Sequence, residues 1–234
     1  MSIRTWALLI TVVSACGDDD GGGGNVDAPM VPATITISGT ASARSLSGST
    51  PAADVAVAAF ATSNESTPVA MATTDASGNY TLTVTTNGAP LDGFLKATKT
   101  GLKDTYLVPP APLVADFSGA SLNMVESNIY SALFALCSTS EDATKGVIAL
   151  IVEDAAGNPV AGATVTSSPA PTKACYNSSS GTPSGTVTET AADGTAYLFG
   201  TVGNVTVSAS GGGTFKSHAL NVHADSLNTT LITP

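Results

Sequence analysis

Two stretches of this chain repeat one order of short alternating segments and turn dipeptides, which leaves few ways to bury their apolar side chains. The first runs from Thr34-Ile35-Thr36-Ile37 through Pro51-Ala52-Ala53-Asp54-Val55-Ala56-Val57 to Thr74-Asp75-Ala76-Ser77-Gly78-Asn79-Tyr80-Thr81-Leu82-Thr83-Val84. The second runs from Gly146-Val147-Ile148-Ala149-Leu150 through Gly157-Asn158-Pro159-Val160-Ala161-Gly162-Ala163-Thr164-Val165 to Thr190-Ala191-Ala192-Asp193-Gly194-Thr195-Ala196-Tyr197-Leu198. Each then closes on a further strand, Phe94 to Thr98 and Val205 to Ala209. Tyr80, Leu82 and Val84 alternate with Thr81 and Thr83, the period-two pattern of a strand with one buried face. Ser77-Gly78 and Asp193-Gly194 are turn dipeptides, placed where the chain must reverse into such strands. Pro159 cannot donate to a ladder and marks the loop leading to the strand of Val165. This grammar predicts an all-β body of two tandem antiparallel β-sandwiches.

Composition agrees, because Thr, Ser, Gly, Ala and Val dominate and charged residues are only 11% of the chain, a balance that favours short strands and tight turns over helices. With 8 Lys and Arg against 18 Asp and Glu, the net charge is −10. Such a surface repels phosphate backbones, so nucleic acid is not expected as a partner. Lys96, Lys99 and Lys103 are a thin local cluster suited to edging a strand or turn.

The N-terminal residues carry a different message. Arg4 precedes an apolar run from Trp6 to Val13, followed by Ser14, Ala15 and Cys16 and then by Gly17-Asp18-Asp19-Asp20 and four glycines. The apolar run is too short to span a bilayer. Val13-Ser14-Ala15-Cys16 resembles the lipobox of bacterial lipoproteins; an ordinary secretory peptide cut elsewhere is the other reading. The resemblance implies that residues 1–15 are a signal peptide and that Cys16 takes a diacylglycerol and anchors the protein to a bilayer. Residues 16–32 then form a disordered Gly/Asp tether, too poor in large apolar side chains to offset ordering entropy. Gly17 rather than Asp directly after the lipidated cysteine favours an outer-membrane address.

If Cys16 is acylated, Cys137 and Cys175 remain, and an even pair in an exported protein is expected to form a disulfide, with two separate buried thiols as the alternative. Between the repeats a helix is expected over residues 120–137. Ser121 is its cap, Leu122, Val125, Ile129, Leu133 and Leu136 recur on one face, and Glu126 lies near its positive end. Val147 to Val152 is apolar on both strand faces, so something must cover its outer side, and this helix is the expected cover.

Pro159-Val160-Ala161-Gly162-Ala163-Thr164-Val165 and Thr74 to Leu82 resemble the patterns of carboxypeptidase regulatory-like domains. The resemblance implies transthyretin-like, immunoglobulin-like sandwiches, at residues 33–113 and 145–233, with the helix segment at 118–138 between them. It implies fold and says almost nothing of function.

Chemistry-bearing motifs are sparse. His218 and His223 fall on opposite faces of one strand and cannot chelate a single ion; His218 shares a face with Leu220 and Val222, and His223 is expected to face solvent. No Gly-x-Ser-x-Gly, His-Glu-x-x-His, P-loop or Rossmann fingerprint is present. No catalytic residue, metal site or cofactor is therefore expected. The segment from Ser167 to Gly185, with Tyr176 and Asn177 pinned through Cys175, is the candidate recognition loop. These features describe a non-enzymatic, lipid-anchored envelope protein that binds an unidentified protein or glycan or serves as a structural module. The alternative is a periplasm-facing scaffold that positions a peptidase or transport complex.

Overall fold

Why the two repeats become strands is visible in β5, Asn79–Thr85, whose burial alternates along its whole length with Tyr80, Leu82 and Val84 inside. The computed structural model describes residues 30–45 and 47–234. The expected signal segment, Cys16 and the expected tether up to residue 29 lie outside the described residues. The first repeat also supplies β1 (Thr34–Ser45), β2 (Gly48–Pro51), β3 (Ala56–Ala61), β4 (Ala70–Thr73), β6 (Gly93–Thr98), β7 (Thr105–Leu107) and β8 (Phe117–Val125). A helix, α1 (Ser127–Leu136), follows. The second repeat supplies β9 (Gly146–Val152), β10 (Thr164–Ser168), β11 (Lys173–Asn177), β12 (Pro183–Ser184), β13 (Thr195–Thr201), β14 (Gly203–Ser210), β15 (His218–Val222) and β16 (Leu227–Ile232).

These strands form three sheets. One is nine-stranded, in the order β12-β11-β13-β9-β16-β7-β6-β3-β4, and it runs through both halves of the chain. A second joins β2, β1, β5 and β8, and the third is β10-β14-β15. The protein is all-β as expected, with pairing antiparallel except where β8 joins β1 and where β16 joins both β7 and β9. Those last two parallel ladders sew the halves together: Asn228 lies opposite Tyr106 on one side and Ile148 on the other.

Each half has its own core. Ile35, Ile37, Val57, Leu82, Leu95 and Leu122 pack together in the first, between the β1 sheet and the long sheet. Ile148, Leu150, Leu198, Val207, Leu220 and Ile232 do so in the second, between the long sheet and β10-β14-β15. Side chains alternate along strands, so register fixes which face each core occupies. Leu107, packed on the first core, lies opposite Thr229, whereas Ile232 of the second core lies an odd number of residues further on. The two covering sheets therefore sit on opposite faces of the nine-stranded sheet.

The helix expected over 120–137 is shorter. Residues 117–125 are strand β8, and α1 begins only at Ser127, with Glu126 as its N-cap and no side-chain capping bond. Ser121 is thus a strand residue and not a cap. Ala120, Leu122 and Met124 are buried at period two, and β1 offers its open side as a parallel partner, so tertiary pairing overrides the local helical pattern. Gly39 is required there, because a Cβ on it would overlap the Ala120 carbonyl oxygen. The buried face of α1 is also rotated from the expected one: Tyr130 and Phe134 are buried while Leu136 is 47% exposed.

As expected, the helix covers the outer face of β9. Tyr130, Phe134 and Cys137 pack with Val147, Phe199, Cys175 and Leu227. Phe134 meets Tyr130 and Phe199 edge-on, with ring centroids 5.3 and 5.0 Å apart. Ser138, at a φ of 56°, ends the helix. Its N–H and that of Thr139 donate to the Ala135 and Phe134 carbonyls, closing the last turn.

Candidate functional site

The disulfide expected from cysteine parity is present, with an S–S distance of 2.01 Å between Cys137 and Cys175. It joins the C-cap of α1 to the middle of β11. Beside it the Gly185 N–H donates to the Leu136 carbonyl, and Lys173 Nζ donates to the Gly185 carbonyl at 3.0 Å. Any Cβ at Gly185 would lie 2.7 Å from the Cys137 carbonyl oxygen, so glycine permits this close approach. The base of the segment from β11 to Gly185 is therefore fixed to the helix end covalently and by hydrogen bonds.

Tyr176 and Asn177, expected to display themselves for recognition, are core residues of β11 instead, 4% and 6% exposed. The Tyr176 hydroxyl accepts the Val165 N–H at 2.9 Å, and Asn177 Nδ2 donates to Asp193 Oδ2 at 2.7 Å. Tyr197, near Asn177, has its phenol pushed up to about 12 by burial. Cys175, Tyr176 and Asn177 are buried in succession; the Tyr176 hydroxyl is met by Val165, whereas Asn177 Oδ1 is buried with no hydrogen-bond partner among the described residues. Beyond β11 the turn Ser179-Ser180-Gly181-Thr182 is exposed, with Ser178 half-buried at its base. Its hydroxyls bond one another, Ser178 Oγ to Ser180 Oγ at 2.8 Å, and the Ser178 N–H donates to the Thr182 carbonyl. The tip is thus a small array of hydroxyls on a rigid base, suited to hydrogen bonding with a neutral polar partner.

A second cluster lies where the halves meet, and sequence reasoning missed it. Phe60, Phe94 and Tyr106, from β3, β6 and β7, form a ladder on the face of the long sheet turned away from the first core. Phe60 stacks on Phe94 at 5.3 Å, and Phe94 lies 5.8 Å from Tyr106. His223, just beyond β15, stacks on Tyr106 with centroids 3.8 Å apart and planes 11° from parallel. This corrects the expectation of a solvent-facing His223. The side chain is half-buried, and Glu65 Oε2 lies 3.8 Å from its Nε2. Both Glu65 oxygens already accept from Asn221 Nδ2, at 2.9 and 2.8 Å. Lys96 lies over Tyr106 at 5.4 Å and pairs with Asp104 at 3.0 Å.

His218 does share the inward face of β15 with Leu220 and Val222, as expected. Its Nε2 is buried with no hydrogen-bond partner. Burial holds both imidazoles below their ordinary value, outweighing Asp92 at His218 and Glu65 at His223, while Lys96 adds to the effect at His223. Among the described residues, no three side chains are grouped as a metal site, and no helix is long and apolar enough to cross a membrane.

No protein-family model matches the chain, and no curated protein matches it. Solved structures do. The TIE protein of Bacillus anthracis matches 85% of this chain at 13% identity and a TM-score of 0.26, the match covering 34% of that protein. The shaft pilin SpaA of Lactobacillus rhamnosus GG matches 86% at 11% identity and a TM-score of 0.26, with 98% of the pilin covered. The minor pilin GBS52 of Streptococcus agalactiae matches 85% at 12% identity and a TM-score of 0.27, with 94% covered.

Proposed function

We propose that this chain is an exported cell-envelope protein, held to a bilayer by lipid on Cys16, that acts as a binding or structural module rather than as an enzyme. The Cys137–Cys175 bond carries the reading, because structural disulfides form and persist in oxidising compartments outside the cytosol. The lipobox-like residues 13–16 and the Gly/Asp run after them supply an anchor and a spacer of roughly 20 Å mean span for such a body. The nine-stranded sheet supports it further, since main-chain pairing through both halves suits a stiff stalk that holds a surface away from the bilayer. The hydroxyl-rich turn at residues 178–182 is the surface that best fits recognition of a protein or glycan.

Feeding an alkyne-tagged fatty acid to cells that carry the full chain tests the anchor. Label is expected on the wild type and absent from Cys16→Ala, and equal labelling of the two refutes lipidation at that residue. Protease shaving of intact cells then separates the two roles: digestion supports a surface module, whereas protection supports the periplasm-facing scaffold.

A further inference from the structure

Strand β1 carries β8 along one side and, along the other, β5 followed by β2. The far side of β5 is therefore an edge of its sheet. Which peptide groups face that edge follows from the two ends of the ladder, where the Ala41 N–H donates to the Gly78 carbonyl and the Thr86 N–H to the Ala33 carbonyl. Bonded pairs recur at every second residue, so Tyr80, Leu82 and Val84 exchange their bonds with β1. Thr81, Thr83 and Thr85 turn both N–H and C=O outward, and among the described residues no other group bonds them.

Strand edges are normally guarded by shortness, proline, charge or a bulge. The others here carry such guards. β2 and β4 have four residues each, β12 has two and includes Pro183, and β10 has five and runs into Pro169. The ladder of β8 shifts register at Ser38/Gly39, and β15 has Glu65 set against it through Asn221. β5 has none of these. Its seven residues pair in unbroken register, and no charged side chain lies from Ala76 to Leu91, although the chain bears a net charge of −10.

We propose that β5 is the contact through which two copies of this chain pair, edge to edge and antiparallel, about a two-fold axis at Thr83. The open groups set the register. With Thr83 opposite Thr83 of the second copy, Thr81 lies opposite Thr85 and Thr85 opposite Thr81. Each facing pair exchanges two hydrogen bonds, and every outward group of the three threonines is used. A slip by one residue would instead set each open residue opposite one already bonded to β1. The side chains agree, because Thr81, Thr83 and Thr85 are exposed on one face and meet as threonine pairs, a favourable cross-strand match. Like charges are not brought together, which few other patches of so acidic a chain permit on self-pairing.

Cysteine cross-linking in cells that carry the full chain tests the register. Facing residues that exchange two bonds have Cα atoms about 5.5 Å apart, within reach of a disulfide. Thr83→Cys is therefore expected to give a disulfide-linked homodimer under mild oxidation, at several-fold the yield of Thr81→Cys, whose two copies would stand roughly 14 Å apart. Equal yields, or no link above the wild-type background from either variant, overturn the pairing. A link from Thr83→Cys to a protein of another mass overturns it as well, by showing that a different chain's strand fills the edge. Amide exchange on the purified full chain is an independent reading that needs no substitution. Slow exchange is expected at Thr81, Thr83 and Thr85, and exchange at the solvent rate at all three overturns the proposal.

Discussion

On the second half of the nine-stranded sheet, the face left open by the β10-β14-β15 sheet is closed by α1, with Phe134 against Phe199 and the Cys137–Cys175 bond holding the helix end down. On the first half, the corresponding face has no helix. Its inner part is covered by His223 and Asn221 over the Phe94–Tyr106 ladder, and toward the β4 edge Met71 stands 72% exposed. The contrast has a plain origin in side-chain chemistry. Strand β9 is apolar on both faces and needs an apolar cover, whereas β6 alternates Leu95 and Ala97 inward with Phe94 and Lys96 outward and tolerates a polar, partly wet one.

The sharpest way to break this comparison is Phe134→Asp, which buries an unpaired charge between α1 and β13. It is expected to destabilise by more than about 4 kcal/mol, read from urea unfolding. A small change would mean that the helix is an ornament on a self-sufficient sandwich. Removing the staple with Cys137→Ala/Cys175→Ala comes next. The bond spans 38 residues of sequence, a separation for which the chain-entropy account expects a loss of about 4 kcal/mol. Phe94→Ala on the other face is expected to lose about 3 kcal/mol, because the ring is buried but its neighbours can collapse around Lys96 and His223. A loss above that of Phe134→Ala would reverse the ranking of the two covers.

Acid supplies a gentler test that treats both halves alike. Asp75 takes bonds from the Asn79 side chain and N–H and the Ser77 N–H, and Asp154 is held the same way by Asn158 and Ala156. These bonds, chiefly from the asparagines, hold both carboxyls below their ordinary value. Their contribution is therefore present above about pH 4 and lost as pH falls through the folded values. Asp75→Asn and Asp154→Asn are expected to lower Tm slightly and equally at pH 7 and to converge with wild type near pH 2. The smallest effect is expected from Met71→Ser, within about 0.5 kcal/mol in either direction.

Much of the strand framework is legible in the residues themselves. Tyr80-Thr81-Leu82-Thr83-Val84 admits one buried face, and the helix was expected as a cover because Val147 to Val152 leaves no polar face to show water. Recognition was less legible. Tyr176 and Asn177 looked like loop residues because Ser, Gly and Pro surround them, yet β13 offers β11 a partner and draws both inside. The aromatic and histidine seam left no local trace, because Phe60, the neighbouring strands of Phe94 and Tyr106, and the remote His223 meet only when the sheet is assembled.

By itself, then, the sequence determined the all-β class, the alternating strands and the need for a cover over β9, and it made a Cys137–Cys175 bond an expectation that the structure bears out. These follow from short-range periodicity and from parity, which require no knowledge of neighbours. Tertiary structure alone decided that residues 117–125 extend β1 rather than lengthen the helix. It also decided that β16 joins the two halves into one sheet. Parallel pairing links residues remote along the chain and depends on which strand edges remain open once everything else has packed.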